Sequence, residues 1–266
     1  MKKILFSIFA VAASVAAVAQ TNVWVWQNGT ATKMATTDSI TFTTPYIESG
    51  YEYVDLGLTS GTKWATCNVG AAEPEEFGNY YAWGEVTPKE TYSWNTYLDG
   101  RITSYSDCGT DKDLLKGVTD IAGTEYDAAK ANWGGKWRMP TKAQQDELRS
   151  ECYWVWTEDY NNSGVKGYIV YKAKNSSDKG VKVYSGGTPS SLYNLSDAHI
   201  FLPAAGYRSG GDFNGAGSDG RYRSSSLDNT GYPGYAWSVC FSSDDVYEND
   251  VDRYYGRSVR AVVPAE

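Results

Sequence analysis

Short runs rich in β-branched and aromatic residues recur along the chain, and several have the two-residue period that is typical of half-buried β-strands. Val and Trp alternate over Val23–Trp26, the dipeptide Asn28-Gly29 favours a tight turn, and a second strand-like run covers Ser39–Thr43. These signals predict a β-hairpin within residues 20–45. A proline and a polar stretch then mark the start of a larger domain, residues 46–266.

Two helices are predicted in the larger domain. Residues 124–133 carry acidic side chains early and are followed by Gly134, so this segment has a plausible start and a glycine stop. Thr141 is followed three residues later by Gln144, which is the spacing of a capping box at a helix start. A second helix is therefore predicted to begin after Thr141.

The remaining segments are predicted as strands and long loops. Tyr51–Leu56 and Ser258–Val263 alternate at opposite ends of the larger domain, so we expect these terminal strands to pair with each other. The predicted class is α+β, with two helices, paired terminal strands and long Gly/Ser/Tyr-rich loops.

The first residues have the pattern of a secretory signal peptide. Lys2 and Lys3 precede an apolar run, and Ala17-Val18-Ala19 supplies the small residues that a signal peptidase needs, so residues 1–19 are predicted to be removed. No later segment approaches 18 consecutive apolar residues, so no transmembrane segment is expected. The predicted location is the periplasm, the outer cell surface or the extracellular space.

Composition changes the expected nature of the core. Leu, Ile, Val and Phe number 46, whereas the chain has 10 Trp, 22 Tyr and 7 Phe, so large aromatic rings must replace the missing aliphatic side chains. The net charge of −8 and the sequence pI of about 4.8 argue against nucleic acid as a partner, because phosphate binding relies on clustered Lys and Arg. A single His also argues against histidine zinc sites and Ser-His-Asp catalysis.

Several motifs suggest chemistry that their context does not support. Gly215–Gly220 matches the GxGxxG pattern of dinucleotide-binding sites, but no predicted strand precedes it and no predicted helix follows. We therefore interpret this segment as a glycine-rich loop. Asp244–Asp252 offers carboxylates without EF-hand spacing, so a solvated acidic loop is the better interpretation. His199 lies in an apparent strand, where a structural role is expected. We predict no metal ion, no cofactor and no enzymatic activity, although a glycosidase-type carboxylate pair depends on geometry that sequence does not give.

Four cysteines are present, and secretion makes them eligible for disulfides. Three pairings of Cys67, Cys108, Cys152 and Cys240 are possible, and the sequence does not choose among them. The alternative is four buried free thiols.

The strongest functional signal is the composition of residues 205–256. Gly, Ser, Tyr, Asp, Arg and Asn make up 38 of these 52 residues, and Lys, Gln and Met do not occur. Tyr, Ser, Gly, Asn and Arg are the residues of antibody combining loops, where Tyr gives large contact area and the small residues give adaptable hydrogen bonds. We favour a recognition surface over the alternative, an ordinary glycine-rich covering of a β core.

The side chains predicted to bind ligand lie on this tail, whereas Trp64, Trp83, Trp133, Trp137 and Trp154 are predicted to be framework. The predicted ligand-binding residues are Arg208, Phe213, Asn214, Arg221, Tyr222, Arg223, Tyr232, Tyr235, Asp244, Tyr247, Asn249, Asp250, Arg253, Tyr254 and Tyr255.

Six motifs, in order, resemble the Fibrobacter/Bacteroides major paralogous domain family of secreted bacterial proteins. They are Tyr53–Leu58, Ser60–Ala71, Tyr81–Glu85, Trp133–Thr141, Phe201–Arg208 and Gly256–Arg260. This family is similar to C-type-lectin-fold proteins, including formylglycine-generating enzymes and the variable proteins of diversity-generating retroelements.

The resemblance implies a C-type-lectin-like fold that displays its binding surface near the carboxyl end. It also implies a tail of the kind that adenine-directed mutagenesis diversifies, since Asn codons yield Asp, Ser, Gly, Tyr and Arg. Relatives often carry Trp where Arg223 stands, so this position is either altered framework or displayed surface. Formylglycine-generating enzymes use a cysteine pair near their carboxyl end, and this tail has Cys240 alone.

Three functions remain open at this stage. The first is a secreted or surface-associated binding protein that recognises a protein or glycan, on another cell or a host surface, in the manner of an adhesin. The second is an extracellular enzyme, either carbohydrate-active or similar to the formylglycine-generating enzymes. The third is a non-catalytic structural protein of the envelope.

Overall fold

A computed structural model describes residues 24–27, 30–33 and 46–265. The chain divides into two compact units, residues 1–44 and 45–266. In the first unit, strands β1 (Trp24–Gln27) and β2 (Thr30–Lys33) pair antiparallel, with Gln27 opposite Thr30. The predicted signal peptide and the strand predicted over Ser39–Thr43 lie outside the described residues.

Within the described part of the second unit the fold is α+β, mostly strand with two helices, which confirms the predicted class. The helices are α1 (Ala128–Trp133) and α2 (Lys142–Glu151). The strands are β3 (Tyr46–Glu48), β4 (Tyr51–Val54), β5 (Lys63–Ala65), β6 (Tyr80–Tyr81), β7 (Cys152–Thr157), β8 (Gly167–Lys172), β9 (Lys182–Val183), β10 (His199–Pro203), β11 (Ala205–Ser209), β12 (Asp212–Ala216), β13 (Gly220–Leu227), β14 (Tyr235–Ser242), β15 (Asp245–Asp252), β16 (Arg257–Ser258) and β17 (Val262–Val263). No helix of this described part is long and apolar enough to cross a membrane.

Local capping signals determine where both helices begin. The predicted capping box is present at α2, where the Thr141 hydroxyl accepts from the Gln144 N–H and the Gln144 side chain accepts from the Thr141 N–H. Helix α1 begins at Ala128, later than the predicted start at residue 124, because the buried Asp127 carboxylate caps it by accepting from the Lys130 N–H at 3.0 Å.

The terminal strands share a sheet without pairing directly, so the predicted pairing is wrong. Their sheet has the order β17-β5-β4-β3, which places β5 between the two ends. The chain turns back after β4, so β5 pairs with the edge of β4 before the chain reaches β17. The opposite edge of β5 then pairs with β17, Val262 lying opposite Trp64.

The tail forms strands, which corrects the prediction of long loops there. Within the described residues, β12-β11-β13-β14-β15 follow one another in a sheet, and β16 pairs with both β13 and β6. The segment Asp244–Asp252, expected to be a solvated loop, is mostly β15. Gly215 and Gly217 have φ of 68° and 79° and reverse the chain before β13, so the GxGxxG pattern is a turn between strands.

One face of the tail sheet packs against α2. Tyr222, Val239 and Phe241 point to this face and share a core with Leu148 of α2. The buried Gln145 side chain links the elements, because its amide donates to the Tyr222 carbonyl at 3.0 Å and accepts from the Val239 N–H at 3.1 Å. Since neighbouring residues of a strand point to opposite faces, the alternate residues of the tail strands face away from α2.

The core is built around rings, as the composition predicted. The five tryptophans assigned to the framework are all buried, and three of them, Trp83, Trp137 and Trp154, have no exposed surface. All four cysteines are buried and free, which corresponds to the alternative of unpaired thiols. The long irregular segments lie between β6 and α1 and between β9 and β10 rather than in the tail.

Candidate functional site

The face of the tail sheet that points away from α2 presents an arginine between two phenol rings. Cys240 separates Arg221 from Tyr247 across the strands, and Arg221 Nη1 reaches over it to donate to the Tyr247 hydroxyl at 2.9 Å. Arg221 Nη2 donates to the Asp219 carboxylate at 2.9 Å. The guanidinium carbon lies 5.7 Å from the Tyr207 ring centroid and 5.9 Å from the Tyr247 ring centroid, both within cation–π range.

A continuous series of ring contacts extends from Tyr207, and we call it the aromatic row. Its seven members, in order of contact, are Tyr207, Tyr255, Tyr254, Trp94, Tyr105, Tyr235 and Tyr232. The centroids of successive rings are 5.8, 4.5, 4.9, 6.5, 5.3 and 5.7 Å apart. Aromatic pairs at these separations attract one another, so each ring helps to hold its neighbours in place.

Every residue of the aromatic row is at least partly exposed. Six members are half-buried, and Tyr232 is 53% exposed. Burial raises the pKa of Tyr105, Tyr235 and Tyr254, and the Tyr255 hydroxyl raises that of Tyr254 further. These phenols therefore stay protonated at neutral pH and can donate hydrogen bonds.

Two members of the aromatic row, Trp94 and Tyr105, were missed by the sequence analysis because they lie far from the tail. Trp94 begins a 3-10 turn that Ser93 and Thr96 cap reciprocally, and Tyr105 begins another such turn. The Ser-x-x-Thr spacing was a local signal for the first turn. Nothing in the sequence pairs these rings with Tyr254 and Tyr235, because that contact depends on how the long segment folds across the tail.

Other predicted residues lie around this face. On the strand pair β11–β12, Asn214 lies opposite Tyr207, and the Arg208 guanidinium lies 5.6 Å from the centroid of Phe213, which is 45% exposed. Asn249 is half-buried and lies two residues from Tyr247 on the same face of β15. Asn249 therefore shares a face with Tyr247, whereas Arg208 and Phe213 point to the opposite face of their strand pair from Tyr207 and Asn214.

Three predicted ligand-binding residues are buried, so their assignment to a surface is corrected. Tyr222 points toward α2 and its hydroxyl donates to the Pro203 carbonyl at 2.8 Å. Arg253 has no exposed surface and pairs with the buried Asp113 at 2.6 Å. Arg223, also with no exposed surface, donates to three backbone carbonyls, so this position belongs to the framework.

Two predicted acidic residues lie off the face that carries Arg221 and Tyr247, and of these Asp250 lies near Tyr235 of the aromatic row. Asp244 is exposed in the turn between β14 and β15, where it accepts from the Ser242 hydroxyl at 2.6 Å. Asp250 lies opposite Trp237, on the face that points toward α2. The two-residue period of the strand separates Asp250 from Asn249, a distinction that the sequence did not give because the strand was not predicted.

A cavity of about 410 Å³ lies elsewhere, lined in part by Glu85, Lys89, Asp99 and Glu125. Its most enclosed carboxylate is already bound, because Glu85 Oε1 accepts from Lys89 Nζ at 2.8 Å and from the Leu98 N–H at 2.7 Å. These contacts give the Glu85 side chain a structural role in joining the segments that line the cavity.

The remaining candidate chemistry has structural explanations. His199 Nδ1 lies 2.8 Å from the Asp197 carbonyl and Nε2 lies 3.0 Å from the Tyr160 hydroxyl, while burial lowers the histidine pKa. Among the residues that the structure describes, no group of three or more His, Cys, Asp or Glu side chains is placed to hold a metal ion.

Comparison with protein-family models, curated proteins and solved structures finds no match.

Proposed function

We propose that this chain is a ligand-binding protein that recognises a protein or glycan through the aromatic row and the adjoining Arg221 and Tyr247. The observation that carries the proposal is the unbroken series of partly exposed rings. Monomeric proteins seldom expose contiguous apolar surface without a binding role, and Tyr, Trp and Arg supply most of the energy at binding interfaces.

The arrangement suits recognition because its rings are already held in position. A tyrosine has few torsions to immobilise, and contacts with neighbouring rings and Arg221 restrict those torsions before ligand arrives. Preorganisation of this kind lowers the entropic cost of binding. Asn214 and Asn249 supply adaptable hydrogen bonds beside the rings.

The sequence motifs and the signal-peptide pattern support a proposal for the finer fold and the location. We propose a C-type-lectin-like domain, secreted and displayed at the bacterial cell surface, whose outward tail positions are diversified. The presence of Arg208, Tyr247, Asn249 and Tyr255 on accessible parts of the tail supports this proposal, because these residue types arise from mutated Asn codons.

The test is binding to arrays of glycans and purified surface proteins. We expect Tyr207→Ser and Tyr255→Ser each to weaken the binding of any ligand found by about ten- to a hundredfold, in keeping with aromatic hot spots. Tyr184→Ser is the matched control, because Tyr184 is 38% exposed and lies outside the aromatic row.

Equal loss in the control, or unchanged affinity in both test variants, would refute the proposed surface. Circular dichroism of each variant separates lost affinity from lost folding. Turnover of a carbohydrate substrate that is abolished by Glu85→Gln and unaffected by Tyr255→Ser would favour an enzyme instead.

A further inference from the structure

Three arginines lie on the face of the tail sheet that points away from α2. We call Arg221, Arg223 and Arg257 the guanidinium cluster. The first two are two residues apart on β13 and so share a face. The third lies on β16, beside β13, and its Nη1 donates to Cys240 Sγ at 3.3 Å. Cys240 itself lies opposite Arg221.

Within the described part of the chain, two of the three arginines of the guanidinium cluster have no carboxylate in direct contact. Arg221 has the Asp219 carboxylate, but among the described residues no carboxylate oxygen lies within 4.0 Å of Arg223 or Arg257. Both are buried, at 0% and 3% exposure. Burial, followed by the charge of Arg257, lowers the pKa of Arg223. Uncompensated buried cations are costly, so a bound anion would stabilise this arrangement.

The cluster also has unused hydrogen-bond donors. Nε of each of its three arginines is buried without an acceptor, and so is the hydroxyl of Ser238, which is 1% exposed and lies directly opposite Arg223. Arg260 provides the contrast, because its buried guanidinium donates to a side-chain oxygen and three backbone carbonyls, while Arg138, Arg149 and Arg253 outside the cluster share the Nε without an acceptor. Free Nε–H groups beside Nη–H groups form the fork that binds a carboxylate.

We propose that Arg221, the partly exposed member of the guanidinium cluster, binds the carboxylate of an acidic sugar, and that the buried charges of Arg223 and Arg257 strengthen this anion subsite. This inference rests on the proposed function. Arg221 gives access, since 18% of its side chain is exposed between the Tyr207 and Tyr247 rings. A sugar ring packed against either phenol has its carboxylate within reach of the guanidinium.

The surroundings favour a ligand with one isolated negative charge. Asp219 pairs with Arg221, and Asp252 lies at the end of β15, where its backbone carbonyl accepts from Arg223. These carboxylates and the net charge of −8 repel a second anionic group. A glycan with scattered acidic units satisfies this condition, whereas an acidic polypeptide segment or a polyanion does not.

The experiment measures the affinity of the purified protein for matched glycan pairs that differ only in whether a uronic acid carboxylate is present or reduced to the alcohol. We expect the acidic member to bind at least about tenfold more tightly, as a charge-assisted hydrogen bond allows. Arg221→Gln should reduce this preference to less than about threefold. Arg138→Gln is the matched control and should retain it, because Arg138 is also half-buried with an Nε that lacks an acceptor but lies outside the guanidinium cluster and the tail.

A second measurement needs no substitution at the buried positions, where a change can impair folding. Inorganic sulfate should raise the thermal midpoint of the unmodified protein and of Arg138→Gln more than that of Arg221→Gln, because only the last variant has lost part of the guanidinium cluster. Equal shifts in all three proteins would overturn the subsite.

Other outcomes separate this inference from the proposed function. Equal affinity within glycan pairs, for glycans whose binding requires Tyr207 and Tyr255, overturns the anion subsite and leaves the surface intact. Preference for the acidic glycan together with an affinity that is unchanged in the tyrosine variants supports the subsite and overturns the aromatic row. Tighter binding of a peptide with a single Asp than of any acidic glycan overturns the assignment to sugars.

Discussion

The buried ion pair between Arg253 and Asp113 ties the tail to the long segment after β6, and replacing Arg253 with Met tests that role. The pair is 2.6 Å long, with side-chain exposures of 0% and 1%. The Arg253 guanidinium also lies 5.4 Å from the ring centroids of both Trp83 and Tyr97. Removal of Arg253 therefore leaves a buried carboxylate without its cation.

The expected magnitude follows from that burial. Breaking one side of a buried pair costs about 3–5 kcal/mol, because the remaining charge has lost its partner and has no access to water. The Asp113 carboxylate would keep its hydrogen bonds from the Gly109 and Leu115 N–H groups, at 2.8 and 2.9 Å, so we expect the lower part of this range. The double change Arg253→Met with Asp113→Asn should recover part of the loss, since no charge then remains buried and the Asn oxygen can still accept from a backbone N–H.

Urea denaturation followed by tryptophan fluorescence measures the free energy of unfolding for each variant. The matched control is Lys116→Met, which breaks a pair of similar length, 2.7 Å, whose side chains are 55% and 98% exposed. This control should change stability by less than about 1 kcal/mol. A loss below about 1 kcal/mol in Arg253→Met would contradict the reasoning, and so would a double variant less stable than the single one.

Two further predictions concern packing and pH. Gly220→Ala should lower stability by about 1–3 kcal/mol, because the added methyl would lie 2.0 Å from the buried Phe241 ring. In the control Gly211→Ala the methyl meets no atom within 4 Å, so stability should change little. Thermal denaturation of the two variants compares their stabilities. The Lys166 ammonium, with the Trp156 and Ser185 donors, lowers the pKa of Glu158 to about 2, so its stabilisation is complete above about pH 4.5 and is lost as the pH falls toward 2. Denaturation midpoints measured from pH 6 to 2 should therefore fall less steeply in Glu158→Gln than in the unmodified protein.

Local signals predicted the parts of the fold that depend on neighbouring residues. The start of α2 followed from Thr141 and Gln144 because a capping box is complete within four residues. Local signals could not predict that β5 lies between the terminal strands, because β17 pairs with a strand almost 200 residues earlier. Composition concealed the tail strands, because frequent Gly and Ser residues mask the alternation of Val239 and Phe241.

The sequence predicted which residue types form the candidate site, but it did not predict which face of the sheet each residue occupies. Tyr222 and Tyr247 look alike in sequence, yet one packs beneath α2 and the other contacts Arg221. Only strand register decides between those environments, and a shift of one residue exchanges them. The same limit applies to Arg223, which the sequence left between framework and surface and which the structure buries.

Strand β15 has a consequence for how this protein can change over time. Val246 is buried in the core and Glu248 pairs with Lys142 and Arg149 of α2, whereas Tyr247 and Asn249 point the other way. The number of substitutions tolerated at each position of β15 should therefore alternate between low and high from one residue to the next. Descendants of one ancestral chain can then keep a common scaffold while their outward positions explore new partners.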